Sequence, residues 1–532
     1  MLSNFLYAQQ PQTINQSGAD TLRRIEIIGA ESMRQFTDAS GEVLQTLAGN
    51  ARLKQGSTFL SGDSIIINLR TGVAEGFGNI HINDADTLNT YSQYLKYIGN
   101  ERVAYLKKAV KLTDGKGTLL TEDLVYNLET GIGTYNNGGK VLNGTTVLTS
   151  KSAVYYSQTK DVYFKENVNL TDPKYKINSD SLQYNTEFKI ATFIAPTKIV
   201  SDNGIVNTRS GTYNLQTGEA FFSGNPEFSD STRSVRGRNI AVDEKTGIIN
   251  IEGNGKIVDS VNKVILLGDM IFLDKKKNTF LGTRKPVMIF YSDNDSTYIT
   301  ADTLFSGMKK RDSSDIVSKQ LSDSTGLISI QQKSDSISIQ QKPDSIRFFL
   351  GFRNVKIFND SAQAVADSMY YSSKDSVFRL YKDPLFWNGK TQVQGDTMYL
   401  FTLNKKPERV EVFYNSFVIN KPEEGIFNQI SGRTLNVFFK DGDIDHIRVK
   451  GSPAESIYYP QDSDSAYIGM NRAKGDVIEI EFIKKELEKI KFINEVNGTL
   501  YPISQTPSNL KYLKGFIWQD NRRPKSKLDL FE

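Results

Sequence analysis

The residues that could carry chemistry in this chain are few, and their spacing argues against catalysis. There are two histidines, His81 and His446, and no cysteine. His81 lies in "NIHIND" and His446 in "DIDHIRVKG", both alternating runs of strand type. Neither has a second histidine or a serine–aspartate relay beside it in the sequence. The missing cysteine excludes disulfides, thiolate metal sites and cysteine nucleophiles. Carboxylates are plentiful, but they recur at equivalent places: Asp63, Asp123, Asp180, Asp269, Asp302, Asp367 and Asp396. Recurrence points to turn and sheet-edge roles, not to one catalytic pair. "GNGK" (253–256) and "GKG" (115–117) lack the remaining residues of a phosphate-binding loop. The expectation is a protein that is not an enzyme and uses no metal and no cofactor.

Composition agrees. The chain has 532 residues, with 65 basic and 61 acidic side chains and a net charge of +4. That near balance predicts no nucleic-acid partner. The hydrophobic fraction of 38% is low, so either the core is thin or surface is plentiful. Tyr (25) and Phe (30) are abundant, and Asn, Ser, Thr and Asp fill the gaps between apolar runs, which is a β-rich pattern. No run approaches the roughly 18 apolar residues of a membrane-spanning helix.

A repeat positions these residues. "NLRTG" (68–72), "NLETG" (127–131) and "NLQTG" (214–218) share one turn sequence. Longer stretches fall in step with them, such as "GDSIIINLRTG" (62–72), "NSDSLQYNTEF" (178–188), "GRNIAVDEKTG" (237–247), "GDTMYLFTLN" (395–404) and "GRTLNVFFKDG" (432–442). The period is about 30 residues. Within a unit the period is two: Ile65, Ile67 and Leu69 share a face, as do Leu124 and Tyr126, and Leu182 and Tyr184. A tight turn follows, then a longer strand with Gly76, Asn167, Gly253 or Pro384 near its middle, where a bulge or bend is expected. "EFIKKELEKIKFI" (481–493) looks helical by composition, but its alternation fits a hairpin equally well. The reading is all-β: an elongated, open antiparallel trough of repeated kinked hairpins, with an apolar inner face and a polar outer one.

The boundaries follow from breaks in the pattern. Residues 1–20, beginning "MLSNFLYAQQPQ", read as a signal-peptide remnant or disordered tail; a start upstream of Met1 would explain the shortness of the segment and its missing basic region. Residues 21–308 form a first section. Residues 309–346 are polar and contain the tandem copies "ISIQQKSDS" and "ISIQQKPDS", so a disordered insertion is expected. Residues 347–500 form a second section. Residues 501–532 lack alternation and read as a tail lying across the end of the sheet.

The units "SDSLQYN" and "TEDLVYNLETG", with second strands such as "GNARLKQ" (49–55) and "KENVNLTD" (165–172), resemble those of the OstA/LptA family of periplasmic lipopolysaccharide-transport proteins. The stretch 444–482 is similar to the later part of OstA-like proteins from Bacteroidetes-type bacteria. The resemblance implies a β-jellyroll trough in the periplasm that shields lipopolysaccharide acyl chains and bridges inner and outer membrane. Exposing those chains to water costs about 0.8 kcal/mol per CH₂, so a dry groove is needed. The expected groove residues are Ile65, Leu124, Tyr126, Leu182, Tyr184, Ile240, Val242, Met398, Leu400, Leu435 and Val437. Ile25 and Ile27 at one end, and Ile478 and Ile480 at the other, are expected on unpaired edge strands, with Lys484, Lys485 and Lys489 limiting indiscriminate pairing. Such edges would join lipopolysaccharide-transport partners resembling LptC and LptD, or a second copy. The ligand implied is lipopolysaccharide or its lipid A part. A β-solenoid structural or adhesive surface protein is the alternative, and regular antiparallel pairing separates the two.

Overall fold

A computed structural model describes residues 25–68, 70–84, 88–291, 296–310, 345–403, 406–483 and 486–531. Residues 1–20, the tandem copies at 328–345 save Ser345, and Leu69, Lys484 and Lys485 lie outside the described residues. The described chain is all-β, with forty strands and four short 3₁₀ turns. It falls into two units, Met1–Phe228 and Ser229–Glu532, so the division lies inside the stretch read from sequence as one section.

The first unit is a stack of antiparallel rungs. Strands Val43–Gln55, Thr58–Asn68, Val73–Asp84, Leu88–Ile98, Val103–Thr113 and Thr118–Asn127 pair in sequence order. Each pairing is interrupted once, near its middle, by a register shift. Two consecutive residues there take left-handed backbone angles. They are Gly49 and Asn50, Gly78 and Asn79, Lys108 and Ala109, and, further along, Glu166 and Asn167. The pair turns the strand, so every rung has two arms that face each other across an apolar interior. The sequence placed one bend at Gly76. The structure places it at Gly78–Asn79, because Gly76 continues the interior face opposite Leu95.

The corners explain the repeated acids. Asn79 Nδ2 donates to Asp63 Oδ2 at 3.0 Å, Asn354 to Asp302 at 2.9 Å and Asn415 to Asp396 at 3.0 Å. The Asn254 N–H donates to Asp269 at 3.2 Å, and Lys382 pairs with Asp367 at 3.2 Å. At three of these corners the backbone N–H of the acid also donates to the neighbour's first left-handed residue: Asp302 to Arg353 O at 3.0 Å, Asp396 to Tyr414 O at 3.1 Å and Asp367 to Lys382 O at 3.4 Å. Left-handed backbone costs a non-glycine residue roughly 1–2 kcal/mol. These paired bonds offset that cost.

The Asn-Leu-x-Thr-Gly turns close one row of rung ends. Asn68, Asn127 and Asn214 each accept, through Oδ1, the N–H groups two and three residues on, at 2.9–3.1 Å. Gly131 has φ +69°, and a Cβ there would collide with Ser157 Oγ of the next turn. Turns stack directly: Leu128 N donates to Arg102 O at 2.8 Å, and Ser157 N to Gly131 O at 2.9 Å.

The second unit repeats the scheme with longer strands, including Lys406–Glu423, Ile426–Lys440, Asp443–Tyr458 and Met470–Ile483. Thr303–Lys310 and Ser345–Phe358 pair directly, out to Lys310 opposite Ser345. Residues 476–493 form the hairpin alternative, with Val477 opposite Ile493.

The C-terminal segment departs from expectation. It does not cross the end of the sheet but runs back along the outer face of the second unit. Gln363, Trp387, Gln392, Ile419, Gln429 and Ile457 are cross-strand neighbours on one face. Phe386, on the other face, packs against Phe439 inside, with ring centroids 5.8 Å apart. Gln429 donates to Lys511 O at 2.9 Å and accepts from Leu513 N at 2.9 Å. Gln392 grips Ile517 O and Gln519 N in the same way, each at 2.8 Å. Leu513 is buried with Phe417, Ile419, Ile457 and Met470. Further along, Lys356 donates to Asp529 O at 3.0 Å.

The direct pairing of Lys310 with Ser345 predicts that residues 311–344 can be replaced by an Asn-Gly link, which suits a two-residue hairpin. Differential scanning calorimetry should place the melting temperature within a few degrees of the parent. An insoluble product would show that the segment is packed.

Candidate functional site: an apolar interior with a tyrosine column

Two cross-strand columns line one arm of the first unit's interior. One runs Leu47, Ile65, Gly76, Leu95, Leu106, Leu124 and resumes with Tyr135, Ala153, Phe164, Leu182, Phe193. The other carries tyrosine at steps of 29 residues: Tyr97, Tyr126, Tyr155, Tyr184 and Tyr213. Between successive tyrosines stands one smaller residue: Ala104, Gly133, Val162 and Ala191. Adjacent strands lie about 4.8 Å apart, so rings recur every two strands with a small side chain making room between them. All five tyrosines are buried.

Each tyrosine sits one or two residues before a rung-end turn, and the hydroxyls of Tyr97 and Tyr155 reach the opposite arm. Tyr97 donates to Gln55 Oε1 of the opposite arm. Tyr155 donates to Asp114 Oδ2 at 3.1 Å. Burial raises Tyr97 and Tyr184 to about 12. It also raises Tyr126, and it raises Tyr155 further, with the Asp114 charge adding to the effect. These hydroxyls therefore remain proton donors through the neutral range.

Asp114 lies at the mouth between the arms, with its side chain 6% exposed. Burial pushes its carboxyl up. The N–H groups of Gly117 and Lys116, the Lys160 ammonium at 3.4 Å and the Tyr155 hydroxyl outweigh that effect and hold it below the ordinary value.

The predicted groove residues fall as follows. Ile65, Leu124, Tyr126, Leu182 and Tyr184 are interior in the first unit. In the second unit Ile240, Met398, Leu400, Leu435 and Val437 are buried, and Val242 is half-buried. Met398, Val412, Leu435, Val449 and Ile478 form one column there, and Leu400, Val410, Val437, Ile447 and Ile480 form the next. Ile478 and Ile480 are therefore not edge residues. Their strand is paired on both sides because 476–493 folds back on itself, and the last strands of the ladder are Glu486–Ile493 and Asn497–Tyr501. Among the described residues, Ile27 lies in a strand paired on one side only, opposite Leu53, and is 37% exposed. Ile25 precedes that strand and is half-buried.

The histidines are surface stacking residues. His81 lies on Tyr91 with centroids 4.5 Å apart, and His446 on Phe438 at 4.3 Å. Among the described residues there is no group of three or more His, Cys, Asp or Glu placed to hold a metal. The first unit's interior contains small cavities of about 30 Å³, beside Asp114, Gly133, Tyr155 and Thr186, and about 20 Å³, beside Ile25, Leu53, Gln55 and Tyr97. Each has room on the order of one or two waters.

Residues 23–180 match the family of OstA-like proteins, and residues 147–279 match the family described as LptA/(LptD N-terminal domain) LPS transport protein. Residues 23–279 are OstA/LptA-like. No curated protein matches the chain. Among solved structures it is similar to LptH, described as the LptA homologous periplasmic component of the lipopolysaccharide transport device from Pseudomonas aeruginosa. The identity is 19%, over 22% of this chain and 84% of that chain, with a TM-score of 0.19. In this OstA-like chain, the tyrosine column was present in the sequence as an interval of 29 residues. What each hydroxyl touches depends on the opposite arm, which no local pattern encodes.

The lowered Asp114 value has a sign that can be checked. A depressed folded value stabilises the fold at pH above the ordinary 3.8, and that contribution is lost as pH falls through the lower folded value. Asp114→Asn should therefore destabilise the chain at pH 7 by roughly 1–3 kcal/mol. The gap to the parent, read from chemical denaturation, should narrow below pH 3.8. A gap independent of pH would contradict the assigned charge.

Proposed function

We propose that this chain is a periplasmic lipopolysaccharide-transport protein that binds the acyl chains of lipid A in the apolar interior of its rungs. The observation that carries this reading is the interior itself. It is a set of apolar columns, repeated strand after strand within each unit, in a chain whose residues 23–180 match the OstA-like family and whose residues 147–279 match a family described as an LPS transport protein. Apolar contact is non-directional, so a column of Leu, Ile, Val, Phe and Tyr lets a chain slide from rung to rung. We read the protein as a carrier, not an enzyme, because the repeated interior offers apolar contact and not one distinct reactive place. The alternative of a parallel β-solenoid is disfavoured by the ladders, which are antiparallel from rung to rung.

The same reading assigns the partners. Ile27 on the strand Glu26–Gly29, and the strands Glu486–Ile493 and Asn497–Tyr501, offer unpaired edges for LptC-like and LptD-like proteins or for a second copy. A bridge between the inner and outer membranes follows from two such joints.

Two experiments test the reading. Photo-crosslinking residues at Tyr126 and Tyr184 should capture lipopolysaccharide, whereas those at Val125 and Gln183, half-exposed on the opposite faces of the same strands, should not. Equal labelling of both sets would reject the interior as the binding site. Ile27→Pro should leave the fold intact and weaken end-to-end association at least tenfold, measured by sedimentation. Unchanged association would move the joint to a face or to the C-terminal segment.

A further inference from the structure

The outer face of the second unit carries one regular row of side chains. Gln363, Gln392, Gln429 and Arg472 stand on every second strand of the row, with Trp387, Ile419 and Ile457 between them. Gln392, Gln429 and the three apolar residues are all 0% exposed. Residues 510–531 cover them, and among the described residues that segment forms no strand. The row binds its main chain. Gln429 takes Lys511 O and Leu513 N, the groups on either side of Tyr512. Gln392 takes Ile517 O and Gln519 N, on either side of Trp518. A carboxamide has the donor and the acceptor of a peptide group. Bonding to the groups that flank one residue is how a parallel strand holds its neighbour. Arg472 donates to Leu510 O at 3.4 Å, and Gln363 accepts from Arg523 Nε at 2.8 Å. The sheet orients both central glutamines: Trp387 Nε1 donates to Gln392 Oε1 at 3.3 Å, and Gln429 Nε2 donates to Phe427 O at 3.2 Å.

We infer that this face is a peptide-binding site that reads main chain, with residues 510–531 as a resident ligand that the same segment of a second copy can replace. Three observations support this. Recognition goes through the backbone: Ile517 gives its carbonyl to Gln392 while the residue is 56% exposed. Few side chains serve as anchors. Leu513 is buried with Phe417, Ile419, Ile457 and Met470, and the rings of Phe516 and Trp518 lie 5.2 and 5.9 Å from that of Phe427. Main-chain bonds supply affinity and a few pockets supply register, as they do where a peptide is added to a sheet. The tether is open to solvent: residues 503–509 are exposed except for the half-buried Thr506. The segment can therefore leave without any strand of the sheet losing a ladder partner. A second molecule carries the identical segment, so it is the partner whose fit the contacts themselves establish.

The test keeps the full chain through folding. Residues 503–509 are replaced by a site-specific protease sequence of the same length, and the folded protein is then cut there. The freed segment should stay bound through gel filtration. It should exchange with a fluorescein-labelled synthetic peptide of residues 510–531, read by anisotropy, while the circular dichroism of the sheet is unchanged. The uncut chain should take up the peptide roughly tenfold more weakly or less, because its own segment competes. Ile517→Ser in the peptide should change affinity by less than about threefold, since only its carbonyl is used. N-methylation at Leu513 and Gln519 removes two bound N–H groups and keeps every side chain, and it should weaken binding roughly tenfold or more. Gln392→Leu in the cut chain should do the same. A cut chain that holds its segment against excess peptide until the sheet itself melts would overturn the site, since the segment would then be core. So would equal uptake by cut and uncut chains, which places the peptide elsewhere. Equal affinity for the parent and N-methylated peptides would overturn main-chain reading.

Discussion

Everything in this architecture depends on a corner made of two consecutive left-handed residues. Without it, a strand of eleven residues would extend straight, and one of its faces would meet water on both arms. With it, the two arms turn toward each other, and the apolar residues of both point into one interior. The corner is costly for side chains such as Lys108, Glu166 and Arg353. It persists because many corners are bound to a neighbouring strand, through a backbone bond or a carboxylate. Of the acids that recur along the chain, Asp63, Asp269, Asp302, Asp367 and Asp396 belong to the scaffold.

The mouth follows from the same geometry. Arms that meet at a corner must diverge toward their ends, and the ends are where turns, polar groups and tyrosine hydroxyls collect. In the first unit a large ring and a small residue alternate down one column, which packs the interior without fixing it through the backbone. The second unit uses aliphatic residues at most equivalent positions, such as Leu400, Val437 and Ile480. It invests instead in its outer face, where buried Gln392 and Gln429 bind the main chain of the C-terminal segment. A sheet face in an antiparallel jellyroll is ordinarily wet on the outside. Here that face carries Trp387, Phe417 and Ile419, and the segment covers it.

Much of the scaffold was legible because it is periodic. Alternation identified the strands, and the Asn-Leu-x-Thr-Gly turns marked one row of rung ends, since the Asn side chain and the Gly conformation are both needed there. Leu124, Tyr126, Leu182 and Tyr184 were assigned to the interior by parity alone. The corners were only partly legible. Gly253 and Asn167 betray them, but Lys108–Ala109 and Tyr414–Asn415 do not, because the stabilising bonds come from another rung. Ile478 and Ile480 were misplaced for a related reason: alternation identifies a strand but not whether a further strand pairs beside it. The path of residues 502–531 had no periodic signal at all. It is set by glutamines on distant strands, and an isolated Gln in a strand run carries no mark of what it will bind.

The central claim is that the rungs enclose a lipid-carrying interior, and the most direct measurement is native mass spectrometry of the full chain purified from its own envelope without added lipid. The account predicts a bound species whose mass and fragments are those of lipid A-bearing lipopolysaccharide, released when Tyr126 and Tyr184 are both replaced by aspartate. A chain that is consistently free of lipid, while folded and able to form its end-to-end joints, would contradict it.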